Sequence, residues 1–332
     1  MEIKVEGLSK IYKTQVKEQG LKASMKSLFR PEYKNTIAVS DLNFKIEKGE
    51  MVGFIGPNGA GKTTTLKMLS GLLHPSSGNI SVAGYVPYQR KPDYLKKISI
   101  IMGNRGQLSW DLTIIDSLFI IKEIYRISEE LFRKRLDELT SLLEIEPLLT
   151  KPARNLSLGE RAKCEFAGAL LYNPEVLFLD EPTLGMDVSI QIRLRNFIRE
   201  YCKKHESTVM LTSHYMADIT SLCSRVILIN KGKMIYDGKL SSLSEKLAPF
   251  KLIKFSSVDN DVNSFKKKLD AILQQGGVLI EENERNYTIR VKKDNVTHIV
   301  NQCIKNLDIS DFTVEDPAIE EVIDQIYREE VK

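Results

Sequence analysis

Long apolar runs and paired cysteines are both missing from this chain of 332 residues. No window reaches the roughly 18 consecutive apolar residues of a membrane-spanning helix, and the first residues lack the apolar core of a signal peptide. The four cysteines are scattered without a CxxC pair, which is typical of free thiols in a reducing compartment rather than of a disulfide framework or a zinc site. We therefore expect a cytoplasmic protein whose membrane-spanning partners, if it has any, are separate chains.

A large excess of one charge is also missing. The formal net charge is +4, which is small for this length, and residues 243–332 carry 13 Lys and Arg against 17 Asp and Glu. A nucleic-acid-binding protein usually has a marked basic surface. We therefore expect no nucleic acid among the partners.

Short apolar segments alternate with helical patterns over about the first 240 residues. This alternation predicts an α/β domain over residues 1–242. From 243 to 332 the pattern becomes strand, helix, strand, strand, helix, strand, which fits a small α+β ferredoxin-like domain, and one more helix follows. The clearest strands of the first part are Met51–Ile55, Val176–Leu179, Thr208–Thr212 and Val226–Ile229.

The segment after the first of these strands matches GxxxxGK[ST], the loop that binds phosphates in P-loop NTPases. Its glycines let backbone N–H groups point at a β-phosphate, and the helix that follows adds the partial positive charge of its N-terminus. We expect Lys62 to reach the β- and γ-phosphates and the Thr63 hydroxyl to hold Mg²⁺. The predicted nucleotide-binding residues are Gly56, Pro57, Asn58, Gly59, Ala60, Gly61, Lys62, Thr63 and Thr64.

Two acids and a histidine follow two other apolar strands. Asp180 and Glu181 come directly after Val176–Leu179, and His214 comes after Thr208–Thr212. The carboxyl ends of parallel strands meet at one edge of a sheet, where phosphate ligands bind in open α/β folds. We expect Asp180 to contribute to the Mg²⁺ site and Glu181 to act as general base on water. His214 is then placed to bond the γ-phosphate and to orient Glu181.

The segment Asn155–Arg161 reads NLSLGER and opens a predicted helix. It resembles the LSGGQ signature of ATP-binding cassette proteins, and with it the chain resembles that family over about residues 1–240. The resemblance implies a P-loop NTPase cassette with a mixed sheet and a helical subdomain at about 104–172. It also implies a head-to-tail dimer with a second nucleotide-binding subunit, either an identical copy or a close homologue. The residues that would then close on the ATP of the partner subunit are Ser157, Leu158, Gly159 and Glu160.

Other family elements can be carried over by position. Tyr12 resembles the aromatic residue that stacks on adenine, and Asp187, in the sequence LGMD, resembles the aspartate of the D-loop. At the Q-loop, which in the family links ATP to the membrane subunits, Asn104 stands where glutamine is usual. Gln107, three residues later, is the alternative Q-loop residue.

The resemblance is interrupted by a basic insertion at residues 14–36, between Tyr12 and the strand that precedes Gly49. Within it, apolar side chains fall on one helical face and basic side chains on another, the pattern of an amphipathic helix. Residues 20–31 are therefore expected to contact the membrane surface, to bind a partner, or to fold back on their own cassette. The apolar set is Leu21, Met25, Leu28 and Phe29, and the basic set is Lys22, Lys26 and Arg30.

Together these motifs predict an ATP-hydrolysing subunit of an ATP-binding cassette transporter that uses ATP and Mg²⁺. We expect it at the cytoplasmic face of the cell membrane, bound to permease subunits on other chains. The small α+β domain at the end resembles that of exporter subunits, which favours export. Two alternatives stay open: a soluble cassette ATPase acting on ribosomes or DNA, and a regulatory cassette that holds a complex together through ATP binding.

Overall fold

The computed structural model describes residues 2–15, 33–103, 106–243, 250–258, 262–317 and 319–329. The chain divides into two compact units, Met1–Gly238 and Lys239–Lys332, and each is described by itself. The predicted amphipathic segment 20–31 and the Q-loop candidate Asn104 lie outside the described residues. Among the described residues, no helix has both the length and the apolar character needed to cross a membrane.

The first unit is an α/β structure in which strands and helices alternate along most of the chain. Its strands are β1 (Ile3–Gln15), β2 (Tyr33–Ile46), β3 (Met51–Ile55), β4 (Ser77–Val82), β5 (Ile98–Met102), β6 (Val176–Asp180), β7 (Thr208–Thr212), β8 (Arg225–Asn230) and β9 (Lys233–Lys239). Its helices are α1 (Lys62–Leu69), α2 (Pro92–Lys97), α3 (Ile114–Tyr125), α4 (Glu129–Leu143), α5 (Leu158–Leu170), α6 (Val188–His205) and α7 (Met216–Leu222).

Six strands form the central sheet in the order β5-β6-β7-β3-β8-β9. The neighbouring pairs from β5 to β8 are parallel, and the strands β6 and β7 are buried along almost their whole length. Burial on both faces explains why these segments are apolar runs rather than alternating ones. Asp180 pairs with Thr212 in register, so the carboxyl ends of β6 and β7 lie side by side at one edge of the sheet.

A second sheet has three antiparallel strands in the order β2-β1-β4. Its buried side chains, including Val5, Leu8 and Phe44, belong to one apolar core together with Phe54 and Phe178 of the central sheet. Burial of large apolar side chains is the main favourable term in folding, so this shared core holds the two sheets together. It also places β2 beside the loop that follows β3.

Three helices, α3 to α5, lie between β5 and β6 in the chain. Each begins at a side-chain cap, because the hydroxyls of Thr113, Ser128 and Ser157 accept hydrogen bonds from free backbone N–H groups of the first turn. Such caps contribute typically about 1 kcal/mol each to helix stability. The segment predicted as a helical subdomain therefore has well-defined helix starts, one of them at the signature-like sequence.

The second unit follows the element order strand, helix, strand, strand, helix, strand, helix. Its elements are β10 (Phe250–Ser257), α8 (Val262–Leu273), β11 (Gly277–Asn283), β12 (Asn286–Lys292), α9 (Val296–Asn306), β13 (Ile309–Glu315) and α10 (Ile319–Glu329). The strands form an antiparallel sheet in the order β11-β12-β10-β13. A separate apolar core, with Phe255, Phe265 and Ile299 among its members, joins this sheet to α8 and α9.

Candidate functional site

The loop between β3 and α1 needs glycine at more than one position. Gly61 is the N-cap of α1 and has a φ of 104°, a backbone conformation that residues with a Cβ rarely adopt. A Cβ at Gly61 would also lie 2.5 Å from the carbonyl oxygen of Ala38 in β2, and a Cβ at Gly56 would lie 2.5 Å from that of Ile229 in β8. The loop is thus pressed against the backbones of two strands, which fixes its path.

Lys62, the first residue of α1, is buried and reaches back across this loop. Its Nζ atom donates hydrogen bonds to the carbonyl oxygens of Gly56, at 2.6 Å, and Pro57, at 3.2 Å. Burial lowers the pKa of Lys62, while the nearby carboxylates of Glu181 and Asp180 counteract this shift. The ammonium group is therefore held inside the ring of the loop, close to two acids from another strand.

Both carboxylate oxygens of Asp180 accept hydrogen bonds from threonine hydroxyls. The Oγ1 atom of Thr63 donates to Oδ2 at 2.9 Å, and the Oγ1 atom of Thr212 donates to Oδ1 at 2.6 Å. These contacts join the start of α1, the end of β6 and the end of β7. They border a cavity of about 270 Å³ whose lining includes Thr63, Asp180 and Glu181.

Glu181 has a left-handed backbone conformation with a φ of 54°. Its N–H group donates to both the carbonyl oxygen and the Oγ1 atom of Thr212, at 3.0 and 3.2 Å. A non-glycine residue in this conformation is strained, and such residues persist where the surrounding structure holds them, often at functional sites. The anchoring to Thr212 turns the Glu181 side chain toward the next strand end.

The side chain of His214 meets Glu181 there. The Nε2 atom of His214 lies 2.8 Å from Oε1 of Glu181, a hydrogen-bonding distance. Both side chains are partly exposed, 39% for His214 and 20% for Glu181, so a ligand can reach them. The structure therefore brings Lys62, Thr63, Asp180, Glu181 and His214 to one edge of the central sheet.

The signature-like segment forms a reciprocal cap at the start of α5. The Ser157 hydroxyl accepts from the backbone N–H of Glu160 at 3.3 Å, and the Glu160 carboxylate accepts from the backbone N–H of Ser157 at 2.9 Å. These hydrogen bonds lower the pKa of Glu160. Leu158 is exposed, whereas Gly159 is buried against Ile190 of α6. A Cβ added at Gly159 would lie 2.3 Å from Cδ1 of Ile190. Among the described residues, no hydrogen bond or ion pair connects Ser157–Glu160 with the loop after β3.

Three other predicted site residues lie elsewhere on the first unit. Tyr12 lies on β1 with its ring partly exposed, and Nζ of Lys10 is 5.4 Å from the ring centroid. Asp187 is the N-cap residue of α6, but its exposed side chain makes no capping hydrogen bond. The Gln107 amide donates to the carbonyl oxygen of Ile100 in β5 at 3.1 Å.

Sequence reasoning missed three polar groups that organise the site. Thr212 bonds Asp180 and Glu181, Asp218 holds the loops on either side of them, and Glu165 accepts the backbone N–H groups of Gln107 and Leu108. Burial raises the pKa of Glu165 despite these hydrogen bonds. Thr212, Asp218 and Glu165 each have other polar residues within a few positions in the sequence, so no motif singled them out.

The chain is similar in sequence to proteins of one family. A family model described as "ABC transporter" matches residues 39–184. The chain is 34% identical over 217 residues to the ABC transporter ATP-binding protein NatA of Bacillus subtilis, covering 65% of this chain and 88% of that protein. It is 32% identical over 213 residues to the Nod factor export ATP-binding protein I of Cupriavidus pinatubonensis, covering 63% and 64% of the two chains.

Solved structures show the same likeness. An ATP-binding subunit of an ABC transporter superimposes with a TM-score of 0.62 at 26% identity, covering 74% of this chain and 93% of the other. A dimeric ATP-binding cassette in a post-hydrolysis state with ADP and Pi superimposes with a TM-score of 0.58, covering 71% and 98%. At 23% identity, this second match concerns the fold alone.

Proposed function

The chain belongs to the ABC transporter family as an ATP-binding, ATP-hydrolysing subunit that energises a transporter, and we propose that it drives export through membrane subunits on other chains. The observation that carries the hydrolytic role is the contact between Glu181 and His214 beside Asp180 and Thr63. Export is supported by the names of relatives, such as Nod factor export and bacitracin transport.

ATP is proposed to bind along the loop after β3, with the residues Gly56–Thr64 around its phosphates. The backbone N–H groups of a glycine-rich loop at a helix N-terminus are suited to anions. Lys62, now bonded to two loop carbonyls, would exchange these acceptors for phosphate oxygens. Tyr12 offers a partly exposed ring on β1 for stacking on adenine.

Thr63 and Asp180 fit a magnesium site. Their side chains supply a hydroxyl and a carboxylate oxygen 2.9 Å apart at the wall of the cavity, and Mg²⁺ prefers oxygen ligands of this kind. Bound there with ATP, Mg²⁺ would neutralise charge on the phosphates. The Thr212 hydroxyl keeps the Asp180 carboxylate in the orientation that this requires.

Glu181 is proposed as the general base of hydrolysis. Its carboxylate takes a proton from the attacking water as the oxygen–phosphorus bond forms and the bond to ADP breaks. With a proton on Nε2, His214 donates to Oε1 of Glu181 and holds the carboxylate in place. The imidazole of His214 is also proposed to bond the γ-phosphate of the bound ATP.

We propose that two cassettes form a head-to-tail dimer. Ser157 to Glu160 make no hydrogen bond to the described phosphate loop of their own chain. Ser157 and Leu158 are exposed at the start of α5, where another nucleotide can approach the positive end of the helix dipole. Asp187, exposed at the start of α6, would lie at the same interface.

At the Q-loop we propose Asn104 rather than Gln107 as the functional residue, because the Gln107 side-chain amide is already hydrogen-bonded to β5.

The remaining assignments follow from sequence and topology. We propose domain boundaries at 1–242 and 243–332, and a ferredoxin-like second domain on the basis of its strand order β11-β12-β10-β13. The location proposed is the cytoplasmic face of the membrane, where the basic amphipathic segment 20–31 would bind a partner, contact anionic lipid or fold back on its own cassette. The dimer partner is either an identical copy or a close homologue.

The hydrolytic role is tested by phosphate release from the purified chain with MgATP. Glu181→Gln should reduce the rate by about 10²–10⁴-fold and retain ATP, so that a dimer persists in size-exclusion chromatography with light scattering. Lys62→Ala, as the control, should fail to bind ATP and stay monomeric. Hydrolysis at the unaltered rate by Glu181→Gln would refute the assignment of the base.

The transport role is tested by affinity purification of the Glu181→Gln variant from detergent-solubilised membranes in the presence of ATP. Permease chains with several spanning helices should copurify, and Lys62→Ala should recover fewer of them. Recovery of ribosomal proteins or DNA in their place would contradict a transport function.

A further inference from the structure

A buried acid outside the catalytic cavity joins the two loops that carry Glu181 and His214. Asp218, on α7, is fully buried. Its Oδ2 atom accepts hydrogen bonds from the hydroxyls of Thr183, at 2.5 Å, and Ser213, at 2.6 Å. Thr183 lies two residues after Glu181, and Ser213 directly precedes His214. One oxygen atom therefore connects the segments that present the two reactive side chains.

The charge of this acid is balanced inside the protein. The Nη1 atom of Arg195, on α6, lies 3.0 Å from Oδ1 of Asp218, and both side chains are buried. Buried charges of this kind require a partner. An ionised carboxylate only accepts hydrogen bonds, so both hydroxyls point their protons at Asp218. The Ser213 oxygen is then free to accept the backbone N–H of Tyr215 at 3.0 Å, which fixes the chain on both sides of His214.

Helix α6 holds the loop after Glu181 at two more points. The side-chain amide of Gln191, which is also buried, donates to the carbonyl oxygens of Thr183 at 3.3 Å and Met186 at 3.1 Å. The same helix begins after Asp187, the residue proposed for the dimer interface. Gln191 thus connects the start of α6 with the loop after Glu181, and Arg195, one turn further along the helix, bonds Asp218.

We propose that Asp218, with Thr183, Ser213 and Arg195, forms a positioning cluster that sets the distance between His214 and Glu181. The cluster touches neither substrate nor the reacting atoms, and it acts by holding the 2.8 Å contact between these two side chains. This inference rests on the proposed roles of Glu181 and His214. It predicts that loss of a hydroxyl in the cluster slows hydrolysis without weakening ATP binding.

The test compares variants of the full chain in single-turnover hydrolysis and in ATP titrations. Asp218 itself is unsuitable, because its removal leaves Arg195 buried without a counter-ion and destabilises the fold. Thr183→Val removes one hydroxyl at constant shape and should lower the hydrolysis rate about tenfold, with the Kd for ATP unchanged. Thr183→Ser keeps the hydroxyl and should restore the rate. An unaltered rate in Thr183→Val, or an equal loss of ATP affinity, would overturn the inference.

A double-mutant cycle separates positioning from a merely structural role. Ser213→Ala should lower the rate about tenfold in the original chain but by less than about twofold when His214 is already alanine, because the hydroxyl acts through that imidazole. Equal factors in both backgrounds would overturn the inference.

Glu181→Gln, measured in parallel, distinguishes failure of the positioning cluster from failure of the proposed function. If it hydrolyses ATP normally, the proposed function fails and the inference fails with it. If it is inactive while Thr183→Val is unimpaired, only the inference fails.

Discussion

Replacement of Gly61 by alanine tests whether the phosphate loop is fixed by its contact with β2. The added Cβ meets two obstacles, a φ of 104° and a carbonyl oxygen of Ala38 at 2.5 Å. Gly59, with a φ of 81°, and Gly84, with a φ of 79°, have the same kind of backbone, but a Cβ added at either position would have no atom within 4 Å. These two positions therefore isolate the effect of backbone conformation from the effect of the clash.

The expected magnitudes differ accordingly. A left-handed conformation costs a residue with a Cβ roughly 1–2 kcal/mol, so Gly59→Ala and Gly84→Ala should lose about that much free energy of unfolding. In Gly61→Ala the backbone must also move, and overpacking adds typically about 1–3 kcal/mol. A displaced loop that loses one hydrogen bond to a charged phosphate oxygen, about 1.5–3 kcal/mol, binds ATP roughly 10–10²-fold more weakly. We therefore expect a loss of about this size in ATP affinity for Gly61→Ala and none for Gly84→Ala.

Urea unfolding followed through Trp110 measures the first of these quantities. This residue is the only tryptophan in the chain and lies in the first unit, so its fluorescence reports on the unit that contains the loop. Titration with a fluorescent ATP analogue measures the second. If Gly61→Ala is as stable as Gly59→Ala and binds ATP normally, the close contact with Ala38 does not fix the loop and the reasoning is refuted.

Three further substitutions examine single contacts. Thr212→Val, which removes the hydroxyl that bonds Asp180 and Glu181, should slow phosphate release by about 10–10²-fold, whereas Thr212→Ser should be close to unaltered; equal rates would contradict the assignment. Ser157→Ala should lower the free energy of unfolding in urea by about 1 kcal/mol through loss of the helix cap, and no change would show that the cap is unimportant. Hydrogen bonds from Ser157 lower the pKa of Glu160 below its ordinary value of 4.5. The ionised Glu160 carboxylate therefore stabilises the fold fully at pH values above 4.5, and this stabilisation is lost as the pH falls through the lowered pKa. Thermal unfolding of Glu160→Gln from pH 3 to 7 should show a smaller pH dependence, and an unchanged profile would refute this.

Much of the candidate site could be predicted because its motifs are contiguous. The loop from Gly56 to Thr63 is read directly from spacing, since the chemistry uses neighbouring backbone N–H groups. Asp180, Glu181 and His214 could be placed together because each follows an apolar run, and parallel strands end at one edge of the sheet. The element order of the second unit was also readable, because the alternation of apolar residues changes period between strands and helices.

Contacts between distant segments could not be predicted in the same way. Nothing in the sequence pairs Thr212 with Asp180, or Asp218 with Thr183 and Ser213, because these are ordinary polar residues with no distinctive spacing. The left-handed conformation of Glu181 is likewise imposed by its bonds to the neighbouring strand rather than by its own preference. The sequence likewise does not decide between Asn104 and Gln107 as the Q-loop residue. The only structural argument for Asn104 is the hydrogen bond that the Gln107 amide donates to β5.

Gly159 illustrates the division between sequence and tertiary structure. The sequence alone determined that a capped helix begins at Ser157 and that a small residue sits in its first turn, because capping depends on residues within one turn of each other. Only the tertiary structure decided what approaches that small residue, and in this chain it is Ile190 of α6. Local motifs thus set which groups are available for binding and hydrolysis, whereas the packing of β6, β7, α6 and α7 sets the distances between them, since those distances depend on residues far apart in the chain.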